Sequence, residues 1–170
     1  MGIIETALSG IGLLAGFSLL TGLRILREYE RGVVFRLGRA RQSLAGPGLV
    51  FLLPFGVDRA RIVDTRIMAM QIPPQEVITR DNISIVVSAV VYAHVGSPRH
   101  AILEVDDYLP ATLQLAATTL RAVVGKMELD DILAHRDAIN DEVRSILDTR
   151  TDQWGVEISA VELKDIELPK

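Results

Sequence analysis

Ile83-Ser84-Ile85-Val86-Val87-Ser88-Ala89-Val90-Val91-Tyr92-Ala93-His94-Val95 is the longest strand signal in the chain. Ile83, Ile85, Val87, Ala89, Val91, Ala93 and Val95 share one parity. Side chains of a strand alternate between its two faces, so this parity defines a continuously buried side. The opposite parity (Ser84, Val86, Ser88, Val90, Tyr92, His94) is only partly polar, which implies partial cover there as well. Asp81-Asn82 turns the chain into the strand and Gly96-Ser97-Pro98 closes it.

Working upstream, Met68, Met70 and Ile72 form a second alternating set, and Pro73-Pro74 is expected to end its pairing because proline lacks the ladder donor. Earlier still, Val33, Phe35 and Leu37 alternate with Val34, Arg36 and Gly38, the period of a strand with one buried face that ends at Gly38. Downstream the period changes to that of helices. Pro110 suits a first turn, Leu109, Leu113, Ala117, Leu120 and Val124 recur at helical spacing, and Gly125 supplies a stop. A longer helix follows, capped by Asp130, with an apolar stripe through Ile132, Leu133, Ile139, Val143, Ile146, Leu147 and Trp154 up to Gly155. In the last segment Val156 and Ile158 share one parity while Val161 and Leu163 share the other, which predicts a bulge near Ser159-Ala160. Early strands, then helices, then a closing strand specify an α+β fold, an antiparallel sheet with helices packed against it.

The N-terminus has a different character. Ala7 to Leu23 is apolar and uncharged, and Arg24, Arg27 and Arg31 follow it. Seventeen residues at helical rise reach roughly 26 Å against a hydrocarbon core of about 30 Å. The run is therefore read as a membrane anchor, either a spanning helix or a re-entrant hairpin, with Leu8, Ile11, Leu13, Leu14, Phe17, Leu19, Leu20 and Leu23 in contact with lipid. A cleaved signal peptide needs positive charge ahead of the apolar stretch, and the first six residues carry only Glu5 and the terminal amine. Gly12 and Gly16 have the small-x-x-x-small spacing of membrane helix contacts. Cationic residues on the C-terminal side of the run place the rest of the chain on the cytoplasmic side.

Charge is distributed unevenly along that remainder. From Arg24 to Arg66 nine arginines face four carboxylates, whereas from Ile67 to Lys170 nine basic residues face seventeen acidic ones. The basic part lies beside the anchor, where each Lys or Arg near an anionic leaflet is worth on the order of 1 kcal/mol, so Arg24, Arg27 and Arg31 are expected to face anionic lipid. The acidic part argues against nucleic acid as the partner. Between turn residues at Ala45-Gly46-Pro47-Gly48 and Pro54 runs Leu49-Val50-Phe51-Leu52-Leu53, followed by Phe55, too short to span a bilayer. It is either a buried segment or a shallow membrane contact through Leu49, Phe51, Leu52 and Phe55.

No catalytic constellation is legible. The chain has no cysteine, which removes thiolate nucleophiles and zinc–thiolate sites. His94, His100 and His135 lie on a strand, in a loop and near a helix start, without metal-ligand spacing. Neither a Gly-x-Ser-x-Gly elbow nor a phosphate loop occurs, and Asp106-Asp107 and Asp130-Asp131 are explained as caps at helix N-termini. No enzyme activity, cofactor or metal is expected.

Tyr29-Glu30-Arg31-Gly32-Val33-Val34-Phe35-Arg36-Leu37-Gly38, Gly46-Pro47-Gly48-Leu49 with Leu53-Pro54-Phe55, Val63-Asp64-Thr65-Arg66, Ile72-Pro73-Pro74-Gln75-Glu76, Thr79-Arg80-Asp81-Asn82, Thr118-Thr119-Leu120-Arg121 and Trp154-Gly155-Val156 occur in this order. Together they resemble the SPFH, or band 7, family, and within it the prokaryotic stomatin-like proteins. The resemblance implies a membrane anchor over 1–23, a membrane-proximal subdomain over 24–75 and a distal one over 76–170. It further implies a non-catalytic, homo-oligomeric scaffold that organises membrane microdomains and regulates other membrane proteins. The alternative it offers is a regulatory partner of an NfeD-class membrane protease. It also implies a long C-terminal coiled-coil helix, whereas this sequence stops at Lys170.

Overall fold

The computed structural model describes residues 22–168, so the expected anchor, apart from its last two residues, and the Gly12/Gly16 contact lie outside the described residues. The chain divides into two compact units between Asp64 and Thr65. The boundary expected at 75/76 instead falls inside a strand that runs through Met68–Ile78.

The described residues of the first unit form five short strands. β1 (Leu23–Leu26) pairs antiparallel with β4 (Gly48–Phe51) as a two-stranded ribbon, and β2 (Glu30–Arg36) is flanked by β3 (Arg39–Ala40) and β5 (Asp58–Asp64). Leu23 therefore opens a strand rather than closing the anchor. The single buried face expected from Val33, Phe35 and Leu37 is not found. Val33 and Val34 are both buried, while Leu37 lies beyond the strand at a positive φ and is exposed.

The second unit holds the larger core. Its sheet has the order β6-β7-β8, all antiparallel, with β6 Met68–Ile78, β7 Ser84–Val95 and β8 Val156–Glu167. The whole apolar parity of β7 from Ile85 to Val95 is buried, as its alternation dictates. Pro73-Pro74 does not end β6. The register shifts between Ile72 and Gln75, a bulge that an edge strand tolerates, and pairing continues to Ile78. The bulge also flips parity, so Ile72 and Val77 are both buried. In β8 the bulge expected near Ser159-Ala160 is present opposite Tyr92/Ala93, and a second lies opposite Ser88/Ala89. Val156, Ile158 and Val161 consequently all reach the core.

Four helices complete this unit: α1 (Pro98–Leu103), α2 (Tyr108–Val124), α3 (Leu129–Ala134) and α4 (Arg136–Thr151). α1 occupies sequence read as loop, and the proline at its first turn is the signal that marks it. Asp107 caps α2, its carboxylate accepting from the Leu109 N–H at 3.1 Å. The buried face of α2 is Thr112, Ala116, Thr119, Leu120, Val123 and Val124, rotated from the stripe that began at the exposed Leu109. The single long helix expected from Asp130 breaks at His135 into α3 and α4, and Glu128 rather than Asp130 occupies the cap position of α3. Ile139, Val143 and Leu147 of α4 are buried as expected. Trp154, read as the end of that stripe, sits half-buried in a 3₁₀ turn, Asp152–Trp154, packed against the core.

Gly155, which ends that turn, adopts φ 67°, and a Cβ built there would lie 2.4 Å from the Ser97 carbonyl oxygen. Backbone strain and steric overlap therefore act together at this position. Gly155→Ala is expected to destabilise the fold by at least about 1–3 kcal/mol, and Leu147→Ala, at a fully buried site, by about 2–5 kcal/mol. Urea midpoints measured by circular dichroism check both values.

Candidate functional site

In an antiparallel ribbon, directly paired residues share a face. Leu23 pairs with Phe51 and Ile25 with Leu49, so these four apolar side chains form one face of the β1–β4 ribbon. All four are exposed, Ile25 at 79% and Leu49 at 70%. The opposite face carries Leu26, which is buried, and Arg24, which is exposed and has no ion pair among the described residues. The reading of Leu49 to Phe55 as a buried segment is thereby overturned. Leu52, like Val50, is half-buried, and its N–H donates to the Gly22 carbonyl at 2.8 Å.

Past β4 the chain reverses through Pro54-Phe55-Gly56-Val57. Phe55 (φ 63°) and Gly56 (φ 77°) are consecutive left-handed residues, and so are Leu37 (φ 50°) and Gly38 (φ 82°) between β2 and β3. This is the φ pattern of type I′ turns, whose first central position favours Asn, Asp or Gly. Here it holds a leucine and a phenylalanine, 79% and 88% exposed. The two turns adjoin, because the Leu37 N–H donates to the Val57 carbonyl at 2.9 Å. Each non-glycine left-handed residue costs roughly 1–2 kcal/mol, and the exposed side chains recover none of it by burial within the unit.

What holds the second turn is Asp58. Arg36 meets its carboxylate in a two-point pair, Nε to Oδ1 and Nη2 to Oδ2, each 2.8 Å. The Leu53 N–H donates to the same Oδ2 at 3.1 Å. Only 1% of the Asp58 side chain is exposed. The hydrogen bonds from Arg36, supported by Leu53 and the nearby charge of Arg41, hold the carboxyl down to about 2. Flanking the turns, Arg39, Arg41 and Arg59 are all exposed.

Arg27 and Arg31 do not project freely. Arg27 donates to the Tyr29 hydroxyl at 2.7 Å and lies 5.9 Å from its ring centre, while half-buried Arg31 donates to the Glu28 and Glu30 carbonyls. Sequence reasoning passed over Leu37 and the arginines beside the turns. An X-Gly pair following an alternating strand was the signal for the first turn. In the second unit, His94 Nε2 lies 3.4 Å from Glu157, and Nδ1 lies 3.5 Å from Ser159 Oγ. Only the second joins a hydroxyl to a base, and it stands at the outer limit of hydrogen-bond length between exposed side chains. Among the described residues no cluster of His, Asp and Glu could hold a metal ion, and no helix is long and apolar enough to cross a membrane.

The fold and this surface define a class: a two-unit α+β chain that follows an apolar, uncharged run and displays apolar side chains beside arginines. The chain matches the SPFH domain / Band 7 family over residues 24–170 and belongs to it. It is 46% identical over 151 residues to the stomatin homologue of Pyrococcus horikoshii, an alignment spanning 89% of this chain and 56% of that protein. To human stomatin-like protein 3 it is 45% identical over 148 residues, 86% of this chain and 50% of the relative. An uncharacterised protein of Archaeoglobus fulgidus is 48% identical over 152 residues, 89% of this chain and 60% of the relative. The chain thus spans about half to three-fifths of the length of these three relatives.

Asp58 makes the turn sensitive to acid. A carboxyl whose pKa is lower in the folded than in the unfolded chain binds fewer protons when folded. Its stabilising contribution is therefore complete above the ordinary value of 3.8 and is lost as pH falls toward about 2. Stability of the first unit is expected to decline across that window in the parent and to be lower but flatter in Asp58→Asn, as checked by chemical denaturation from pH 2 to 6.

Proposed function

We propose that the chain is a membrane-anchored SPFH scaffold whose first unit rests on the bilayer interface. The observation that carries this reading is the exposed apolar set Leu23, Ile25, Leu49, Phe51 and Phe55, which follows directly on the apolar run from Ala7. Water opposes such exposure and an interface rewards it, since burying one Leu or Phe side chain gains about 1.5–3 kcal/mol. Arg24, Arg39, Arg41 and Arg59 favour a leaflet with anionic headgroups. Residues 24–170 lie on the cytoplasmic side in this reading because the cations flank the run on that side. Membership of the stomatin-containing family supports membrane association. Self-association, microdomain organisation and regulation of client membrane proteins are proposed from that membership, with no catalytic role.

A fragment comprising residues 22–170 is expected to remain folded and to cosediment with anionic vesicles, more weakly with neutral ones and less at high salt. Leu49→Asp and Phe55→Asp are each expected to reduce vesicle binding about tenfold or more with an unchanged circular dichroism spectrum. Binding that is indifferent to both substitutions would remove the interfacial reading. A strictly monomeric full-length chain in lipid nanodiscs would remove the scaffold and favour a dedicated partner, such as an NfeD-class protease.

A further inference from the structure

The helices of the second unit pack on one face of its sheet, sharing a single core with Ile85, Val87, Ala89, Val91 and Ala93 of β7. Val86, Val90 and Tyr92 belong to the opposite parity, take no part in that core and are half-buried. Directly paired residues share a face, so the register fixes what surrounds them. Ala69 of β6 and Ala160 of β8 flank Tyr92, and side chains that small rise too little to cover its ring. Glu76 and Glu167 flank Val86, while Glu162, Asp165 and Glu157 stand beside Val90, Ser88 and His94. All five carboxylates are exposed. No lysine or arginine holds a register position on this face. Lys164, in a bulge, lies 3.8 Å from Asp165, and His94 lies 3.4 Å from Glu157. Glu162 and Glu167 form no ion pair among the described residues.

An apolar line edged with carboxylates complements a polypeptide that carries apolar and cationic residues side by side. Area decides its size. The 12 residues of β7 reach about 40 Å and three strands span about 14 Å. The product, roughly 550 Å², falls short of the about 800 Å² that each partner gives to a stable interface between folded proteins. It suits a single helix better than a second copy of this chain. Glu162, Asp165 and Glu167 stand opposite alternate residues of β7, about 7 Å apart, close to the about 6 Å between positions i and i+4 of a helix. The Tyr92 ring offers a further contact to a cation. We propose that this face binds a Lys/Arg-rich juxtamembrane segment of another membrane protein, laid along β7 as an amphipathic helix. Its apolar side meets Val86, Val90 and Tyr92, and its cations meet the carboxylates of β8. The inference rests on the membrane-anchored reading above, because segments beside a bilayer on the cytoplasmic side carry an excess of Lys and Arg.

The test uses the full chain in nonionic detergent at low salt and a fluorescent peptide amide of about four helical turns, with leucines along one side and lysines along the adjoining flank. Its counterparts carry glutamate in place of lysine, or the same composition with the lysines dispersed around the helix. Fluorescence anisotropy is expected to show saturable binding of the first peptide, several-fold weaker binding of the dispersed one and none of the glutamate one. Glu162→Lys combined with Glu167→Lys should weaken binding about tenfold or more, and the milder Glu162→Gln with Glu167→Gln, which serves if the reversal disturbs the fold, by a few fold. Asp137→Lys with Glu142→Lys makes the same change in net charge on an exposed side of α4 and should leave the affinity within twofold. Leu49→Asp, which reads the bilayer contact, should also leave it unchanged, so failure of the interfacial reading and failure of this one are seen separately. No saturable binding, equal weakening by the reversal on α4, or a reversal on β8 that abolishes self-association in place of peptide binding would overturn the proposal, the last by assigning the face to a second copy.

Discussion

The constraint on which the second unit depends is the two-residue period of β7. One unbroken parity from Ile85 to Val95 is buried, and β7 is paired on both edges. Neither neighbour has a sequence that matches so long an alternation without interruption. Each is brought into phase by irregularity: β6 shifts register across Pro73-Pro74, and β8 does so twice. Removing a bulge would turn every apolar residue beyond it away from the core, so these departures are what allow the helices one continuous apolar floor.

The first unit is organised differently. It buries Leu26, Val33, Val34 and Val63 and leaves Ile25, Leu37, Leu49 and Phe55 each at least 70% exposed. Specific polar contacts complement its small core. Asp58 joins β5 to Arg36 of β2 and to the Leu53 amide through one carboxylate. Loss of that single group would release the turn carrying Phe55, whereas the paired strands keep their own ladders.

Much of this architecture was legible in the residues. The alternation of Ile83 to Val95, the parity change around Ser159 and the cap at Asp107 follow from local rules, and the structure holds all three. Where the reading failed, tertiary context outweighed the local signal. Pro73-Pro74 stops a central strand but is absorbed by an edge strand, and strand order is not written in the period. The long apolar stripe after Asp130 conceals a break at His135, because Ile132 and Ile139 are buried on either side of it. The exposure of Leu49 and Phe51 was undecidable from composition, since a core strand and an interfacial ribbon present the same letters.

The adjoining turns at Leu37 and Phe55 have a mechanical consequence. Their shape is set by backbone hydrogen bonds and by the Asp58 clasp rather than by packing of the displayed side chains, so the backbone that presents the two apolar groups is fixed before anything meets them. A preorganised group forfeits little conformational freedom on insertion. The arginines at the bases of the same turns cannot follow into hydrocarbon at comparable cost. On the bilayer interface proposed above, such a pair would act as a depth stop, entering the apolar layer as far as the turn residues reach and halting where the guanidinium groups begin.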